Sequence, residues 1–211
     1  MITLAVDTCL GACTAVVGRD GAVLASLSET MMRGHQERLA PMVEQVMQAA
    51  GVAFADLDLI GATVGPGSFT GLRVGLAFAR SMALALDIPC AGIGVLEALA
   101  TGREGLVLAI IDARRDQAYW QAFENGSAVC PPAASKVADV VDFFSGRGRE
   151  IIAVGPGAAM VEGCLPNARI APVEAPAPEA LLALAARRDP GTPLYLRTPD
   201  AKLPGGKVLG E

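Results

Sequence analysis

Aromatic side chains are scarce in this chain. Six Phe, two Tyr and one Trp make up 4% of 211 residues, so the core has to be built from small and aliphatic groups. There is one histidine, His35, which excludes any metal site needing two imidazoles. The five cysteines (Cys9, Cys13, Cys90, Cys130 and Cys164) are odd in number and scattered, without a Cys-x-x-Cys pair. That spacing disfavours a structural zinc site and reads as buried free thiols in a reducing cytosol. A basic excess is also missing. Lys and Arg number 17 against 22 Asp and Glu, and the densest basic runs are only Arg114-Arg115, Arg147 to Arg149 and Arg187-Arg188. A stand-alone grip on nucleic acid is therefore disfavoured. No long hydrophobic run occurs. The most apolar stretch, around Leu76 to Ala79, is interrupted by Arg80 and Ser81 and reads as too short for a bilayer. The chain enters a strand at once with no basic leader, which predicts a cytoplasmic protein without a signal peptide.

What is present is a mostly aliphatic, alanine-rich sequence with alternating strand and helix patterns. Ile2 to Asp7 reads as a buried strand, followed by strands Cys13 to Gly18 and Val23 to Glu29 around an Asp20-Gly21 turn. Leu39, Met42, Val43, Val46 and Met47 recur at helical spacing, and Gly51 fits the helix C-terminus. Pro41 must lie in the first turn or two, which places the helix start near Gln36 to Arg38. Strand Leu59 to Val64, helix Leu72 to Leu86, strand Cys90 to Val95 and helix Leu96 to Thr101 follow. The second half repeats the order. Its strands are Leu106 to Asp112, Gln117 to Glu124, Ser127 to Cys130 and Ile151 to Val154. A helix capped by Ser135 runs to Phe144, another runs to Val161, and a last one covers Pro178 to Arg188. This divides the chain into halves at 1–104 and 105–198, with a flexible tail at 199–211.

The run Gly65-Pro66-Gly67-Ser68-Phe69-Thr70-Gly71-Leu72-Arg73 joins a strand to a helix, as a phosphate loop does. It fails that reading because it ends in Leu-Arg instead of Lys followed by Ser or Thr. The glycines also do not keep the dinucleotide spacing. A second Gly-Pro-Gly, at 155–157, occupies the matching place in the second half, and Asp7 and Asp112 each end a first strand. Two landmarks recurring in order predict a duplicated fold with a cleft between its halves and the chain's end crossing back.

A duplicated βββαβα unit resembles the α/β fold of the actin-like ATPase, sugar kinase and Hsp70 superfamily (ASKHA). Five segments together are similar to the TsaB (YeaZ) family. They are Asp7-Thr8, Gly34 to Pro41, Gly65 to Arg73, Asp112 to Arg115, and Tyr195-Leu196-Arg197 with Asp200-Ala201. The resemblance runs from Ile2 to about Ala201. Cys9 stands where a serine is expected, and Gly94-Val95 replaces a serine-containing turn. The resemblance implies a non-catalytic scaffold in forming N6-threonylcarbamoyladenosine at position 37 of ANN-decoding tRNAs. It implies a TsaD-like catalytic partner, a TsaE-like ATPase joining, and tRNA met only through the complex. No cofactor is implied for the chain alone, while ATP and Mg2+ could enter in the complex. Whether the isolated chain forms a homodimer stays open.

Each candidate residue has a bland alternative. His35 lacks a second histidine, so it reads as a polar group at a helix start or partner contact. Asp7 and Asp112 match the superfamily's nucleotide-facing carboxylates, or else cap turns after strands. Ser68 has no general base beside it in sequence and no Gly-x-Ser-x-Gly frame, which leaves hydrolysis unsupported. Leu39, Met42, Val43, Val46 and Met47 are most simply core residues, yet the helix Leu72 to Leu86 is apolar nearly all round, so two sides of it need cover. The expected partner interface is therefore built from His35, Arg38, Leu39, Met42 and Val46 on one helix and Phe69, Leu72, Arg73, Leu76 and Arg80 on the next. In this reading Gly71 and Gly75 admit a second helix. The rival is a small Mg-nucleotide-dependent kinase or transferase working through Asp7 and Asp112.

Overall fold

The computed structural model describes residues 1–196. The tail beyond them, with Arg197, Asp200 and Ala201, lies outside the described residues. Three antiparallel strands open the chain: β1 (Ile2–Asp7), β2 (Ala12–Arg19) and β3 (Ala22–Thr30). Helix α1 (His35–Ala50) follows, then β4 (Leu59–Thr63), α2 (Phe69–Leu86), β5 (Cys90–Ile93) and α3 (Val95–Ala100). Strands β4 and β5 run parallel to β1, giving the order β3-β2-β1-β4-β5. Both parallel connections pass through helices, as parallel pairing requires.

The second half is β6 (Leu106–Asp112), β7 (Gln117–Glu124), β8 (Ser127–Ala128), β9 (Ala133–Lys136), α4 (Val137–Phe144), β10 (Ile151–Val154), β11 (Ala168–Ala171) and α5 (Pro178–Ala185). Its sheet order is β11-β10-β6-β7-β8, with β9 also paired to β7. Strand β6 thus takes the place of β1, β10 that of β4, and β11 that of β5. The two Gly-Pro-Gly turns share a left-handed first glycine but not the whole backbone, since Gly65-Pro66 is cis and Gly155-Pro156 is not. Gly65 and Gly155 both have positive φ, at 96° and 117°. Ser68 N donates to Cys9 O at 2.7 Å beside β1, and Gly157 N donates to Ile110 O at 3.1 Å in β6.

The second half departs from its sequence reading in three places. The strand expected over Ser127 to Cys130 is only β8, and β9 completes the edge. Ser135 does not cap α4; Lys136 does, its amide donating to Asp139 Oδ2 at 3.2 Å, while Ser135 accepts Trp120 Nε1 at 2.9 Å. The helix expected after Gly157 is one 3-10 turn, Ala158–Val161, after which Glu162 is already extended at ψ 132°.

Alternation along the first sheet assigns its two faces. Leu4, Val6, Ala15, Ile60 and Ala62 face α1 and α2, while Ala5, Val16, Leu59 and Ile93 face Leu181, Leu182 and Ala185 of α5. The last helix therefore belongs to the second half in sequence and to the first sheet in packing. Helix α3 sits between the sheets, with Leu96 and Leu99 in one core with Val107, Ala109 and Ile111 of β6. Helix α2, 18 residues with mean hydropathy 1.3, is by length and composition able to cross a membrane, which corrects the expectation that it is too short. One side of it is core, and Arg73 and Arg80 lie exposed on another.

Candidate functional site

The loop between β4 and α2 lies directly on the turn that follows β1. A Cβ on Gly67 would collide with Cys9 O, one on Gly71 with Thr8 O, and one on Gly75 would lie 2.6 Å from Thr8 Oγ1. Thr8 Oγ1 donates to Gly71 O at 2.7 Å, and Ser68 Oγ caps α2 by accepting from Gly71 N at 3.2 Å. This corrects the expectation that Gly71 and Gly75 admit a helix from another molecule. They admit the chain's own β1 turn. The Ser68 amide, which an anion would need, is already spent on Cys9.

Asp7 is consequently sealed. Its side chain is fully buried, with Oδ1 accepting Thr63 Oγ1 at 2.7 Å and Cys9 N at 3.0 Å, while Oδ2 has no hydrogen-bond partner among the described residues. Burial raises its pKa above the usual carboxylate range, against the lowering effect of Thr63 and Cys9. Burial and the nearby Asp7 push the Cys9 thiol far up as well, and burial lifts Cys13 to about 11. Neither sulfur is a nucleophile at neutral pH.

Asp112 stands apart from Asp7, on the wall of a cleft of about 500 Å3 shared with His35, Ser68, Arg114, Tyr119 and Glu174. It accepts Arg114 N at 2.7 Å, the hydrogen bond of a turn after a strand. The carboxylates expected to act as a pair therefore differ, with Asp112 open to the cleft and Asp7 walled behind Cys9 and Gly67. Among the described residues, no group of three or more His, Cys, Asp or Glu side chains is placed to hold a metal.

The second concavity is a groove of about 660 Å3 between α1 and α2. It is lined by Gln36, Leu39, Phe69, Thr70, Arg73, Val74, Ala77, Phe78, Ser81 and Met82. Helix α2 makes it because six of its residues, Gly71, Leu72, Gly75, Leu76, Ala79 and Ala83, already fill the inner face. The side toward α1 stays apolar at i, i+4 spacing, through Val74, Phe78 and Met82. Arg73 lies 3.8 Å over the Phe69 ring, and the Tyr195 ring is 5.4 Å from that of Phe69.

Against this geometry the expected interface divides. Phe69 and Arg73 line the groove from exposed positions, and Leu39 lies in its floor. Met42, Val46, Leu72 and Leu76 are buried in the chain's own core, which corrects their assignment to a partner-facing surface. Arg38 is tied to β3 through Glu29 at 2.5 and 2.7 Å. His35 faces the cleft, its Nε2 buried without a hydrogen-bond partner among the described residues. Arg80 is exposed but not part of the groove lining. Val74, Ala77, Phe78 and Met82 were missed, although their spacing was readable once Leu72, Gly75 and Ala79 were taken as the inner stripe.

The family model described as TsaD, tRNA N6-adenosine threonylcarbamoyltransferase, matches residues 24–172. The tRNA threonylcarbamoyladenosine biosynthesis protein TsaB of Bacillus subtilis is 33% identical over 162 residues, 74% of this chain and 71% of its own. A Pseudomonas aeruginosa crystal structure described as similar to peptidase YEAZ superposes with a TM-score of 0.80 at 30% identity, covering 93% of this chain and 99% of that one. The activator of 2-hydroxyisocaproyl-CoA dehydratase from Clostridium difficile, solved with bound ADPNP, is 13% identical with a TM-score of 0.53 over 89% of this chain and 94% of its own. That last likeness concerns the fold alone, and the fold is the duplicated actin-like one.

Proposed function

The chain belongs to the TsaB (YeaZ) family, and from that premise we propose that it is the scaffold subunit of the machinery that forms threonylcarbamoyladenosine in tRNA, binding a TsaD-like catalytic subunit through the α1–α2 groove. A role in this biosynthesis follows from its relatives. The single observation that supports the partner reading is α2 itself. Its inner face is complete, yet Phe69, Val74, Ala77, Phe78 and Met82 still present apolar surface along a groove. An apolar groove beside a long helix suits a helix from another protein.

The chain supplies no catalytic group of its own in this reading. The burial of Asp7 and the engagement of the Ser68 amide support that view. A TsaE-like ATPase joins the assembled pair, tRNA is met only there, and the work is cytoplasmic. A second copy of this chain would occupy the same groove when the catalytic subunit is missing.

The test is calorimetry between the full chain and the TsaD-like subunit of the same genome, with Ala77→Glu as the disrupting variant. Ala77 is exposed on the groove, and glutamate is a good helix former, so the fold is kept. Tight binding by the unmodified chain and none by Ala77→Glu is expected. Equal binding by both refutes the groove. Mg-ATP titrated into the isolated chain separates the rival enzyme reading, since tight binding there would favour a kinase or transferase.

A further inference from the structure

Residues 189–196 form a strap across the ends of β4 and β5. Gly92 N donates to Asp189 O at 2.7 Å, and Leu194 N donates to Val64 O at 2.7 Å. Asp189 closes the turn by accepting Gly191 N at 2.9 Å. The seat is cut for backbone against backbone. A Cβ on Gly92 would stand 2.6 Å from Gly191 Cα, and one on Gly65 would stand 2.9 Å from Leu194 O.

The strap delivers Tyr195 to the mouth of the groove. Its ring centroid lies 5.4 Å from that of Phe69, with the planes at 50°. Phe69 in turn carries the Arg73 guanidinium. Phe69 and Tyr195 are 40% and 47% exposed, so neither is held by the core. An exposed ring on the first turn of a helix samples several rotamers and loses that freedom when it binds. A tilted aromatic contact removes the freedom beforehand.

We propose that Tyr195 is a positioning residue of the groove. The strap holds it against Phe69, and Phe69 and Arg73 are thereby presented to the partner in the orientation that binds. This rests on the groove reading above. It assigns the C-terminal segment a part in partner affinity, although its backbone is anchored on β4 and β5 and not on the groove.

The experiment is calorimetry of full-length variants with the TsaD-like subunit, each checked by thermal unfolding. Tyr195→Ala is expected to weaken binding about three- to tenfold. Tyr195→Phe, which keeps the ring, is expected to stay within about twofold. Gly92→Ala presses on the strap at Gly191 and on Val64 but not on the groove, and is expected to match Tyr195→Ala; the double variant is expected to be no weaker than either, because both release the same contact. Tyr195→Ala binding like the unmodified chain, while Ala77→Glu does not bind, overturns the positioning role and leaves the groove standing. Tyr195→Phe as weak as Tyr195→Ala also overturns it, since ring stacking is then not the cause. Ala77→Glu binding normally refutes the groove and this role together.

Discussion

Replacing Gly71 with alanine sets two opposing effects against each other, and the structure decides which wins. Gly71 is the third residue of α2, in its first turn, where helix propensity favours alanine by at most about 1 kcal/mol. Against that, the new methyl would land on Thr8 O. Either α2 moves off the β1 turn or the turn distorts, and overpacking of this kind costs about 1–3 kcal/mol. The Thr8 hydroxyl bond to Gly71 O, 2.7 Å long, would be lost with it, at about 1 kcal/mol. The net is a destabilisation of about 1–3 kcal/mol, or a fall in Tm of roughly 3–10 °C for a chain of this size. Urea unfolding reads the difference directly, with Ala77→Gly calibrating the propensity effect on the exposed side of the same helix, where a loss of about 1 kcal/mol is expected. A Gly71→Ala chain as stable as the unmodified one, or more so, would show that α2 does not need the close approach.

Three further outcomes follow from burial. The Asp7 carboxyl has a raised folded-state pKa, so its contribution is full below the ordinary aspartate value and declines as pH rises through the raised one; Asp7→Asn should therefore gain in Tm relative to the unmodified chain between pH 4 and pH 8, and a difference independent of pH would contradict the assignment. Leu76→Glu puts a charge into a packed position and should cost about 4 kcal/mol or more, yielding a chain that is unfolded by circular dichroism instead of a folded monomer that fails to bind. A thiol reagent at pH 8 should label exposed Cys164 within minutes and leave Cys9 and Cys13 unmodified until denaturant is added; prompt labelling of Cys9 would contradict its burial.

The duplicated plan was legible because it leaves short, strong marks. A carboxylate closes a strand and a Gly-Pro-Gly turn leads out of another, and both repeat. The family likeness rested on the same marks. The direction of α2 was not legible. A helix apolar on most sides reads alike whichever stripe faces inward, and Leu72 and Leu76 looked as fit for a partner as Val74 and Phe78. Only the contact of Gly71 and Gly75 with Thr8, residues more than sixty positions away, fixes its rotation. The separation of Asp7 from Asp112 was hidden for a similar reason. Their sequence settings match, and each half's Gly-Pro-Gly turn packs on the end of its first strand, yet Asp7 ends fully buried and Asp112 exposed on the cleft wall. The 3-10 turn after Gly157 was not legible either, because the expected helix rested on its echo of the first half's strand, Gly-Pro-Gly turn and helix.

The docking of α5 on the first sheet bears on the order of synthesis. Ala5, Val16, Leu59 and Ile93 emerge from the ribosome long before Leu181, Leu182 and Ala185, which cover them. During that interval one face of the first sheet has no permanent neighbour. A fragment ending after α3 would keep that face bare and should be retained by chaperones or aggregate, even though it holds every strand of its own sheet. Nascent chains released at successive lengths should resist protease at the first sheet only once α5 has cleared the exit tunnel.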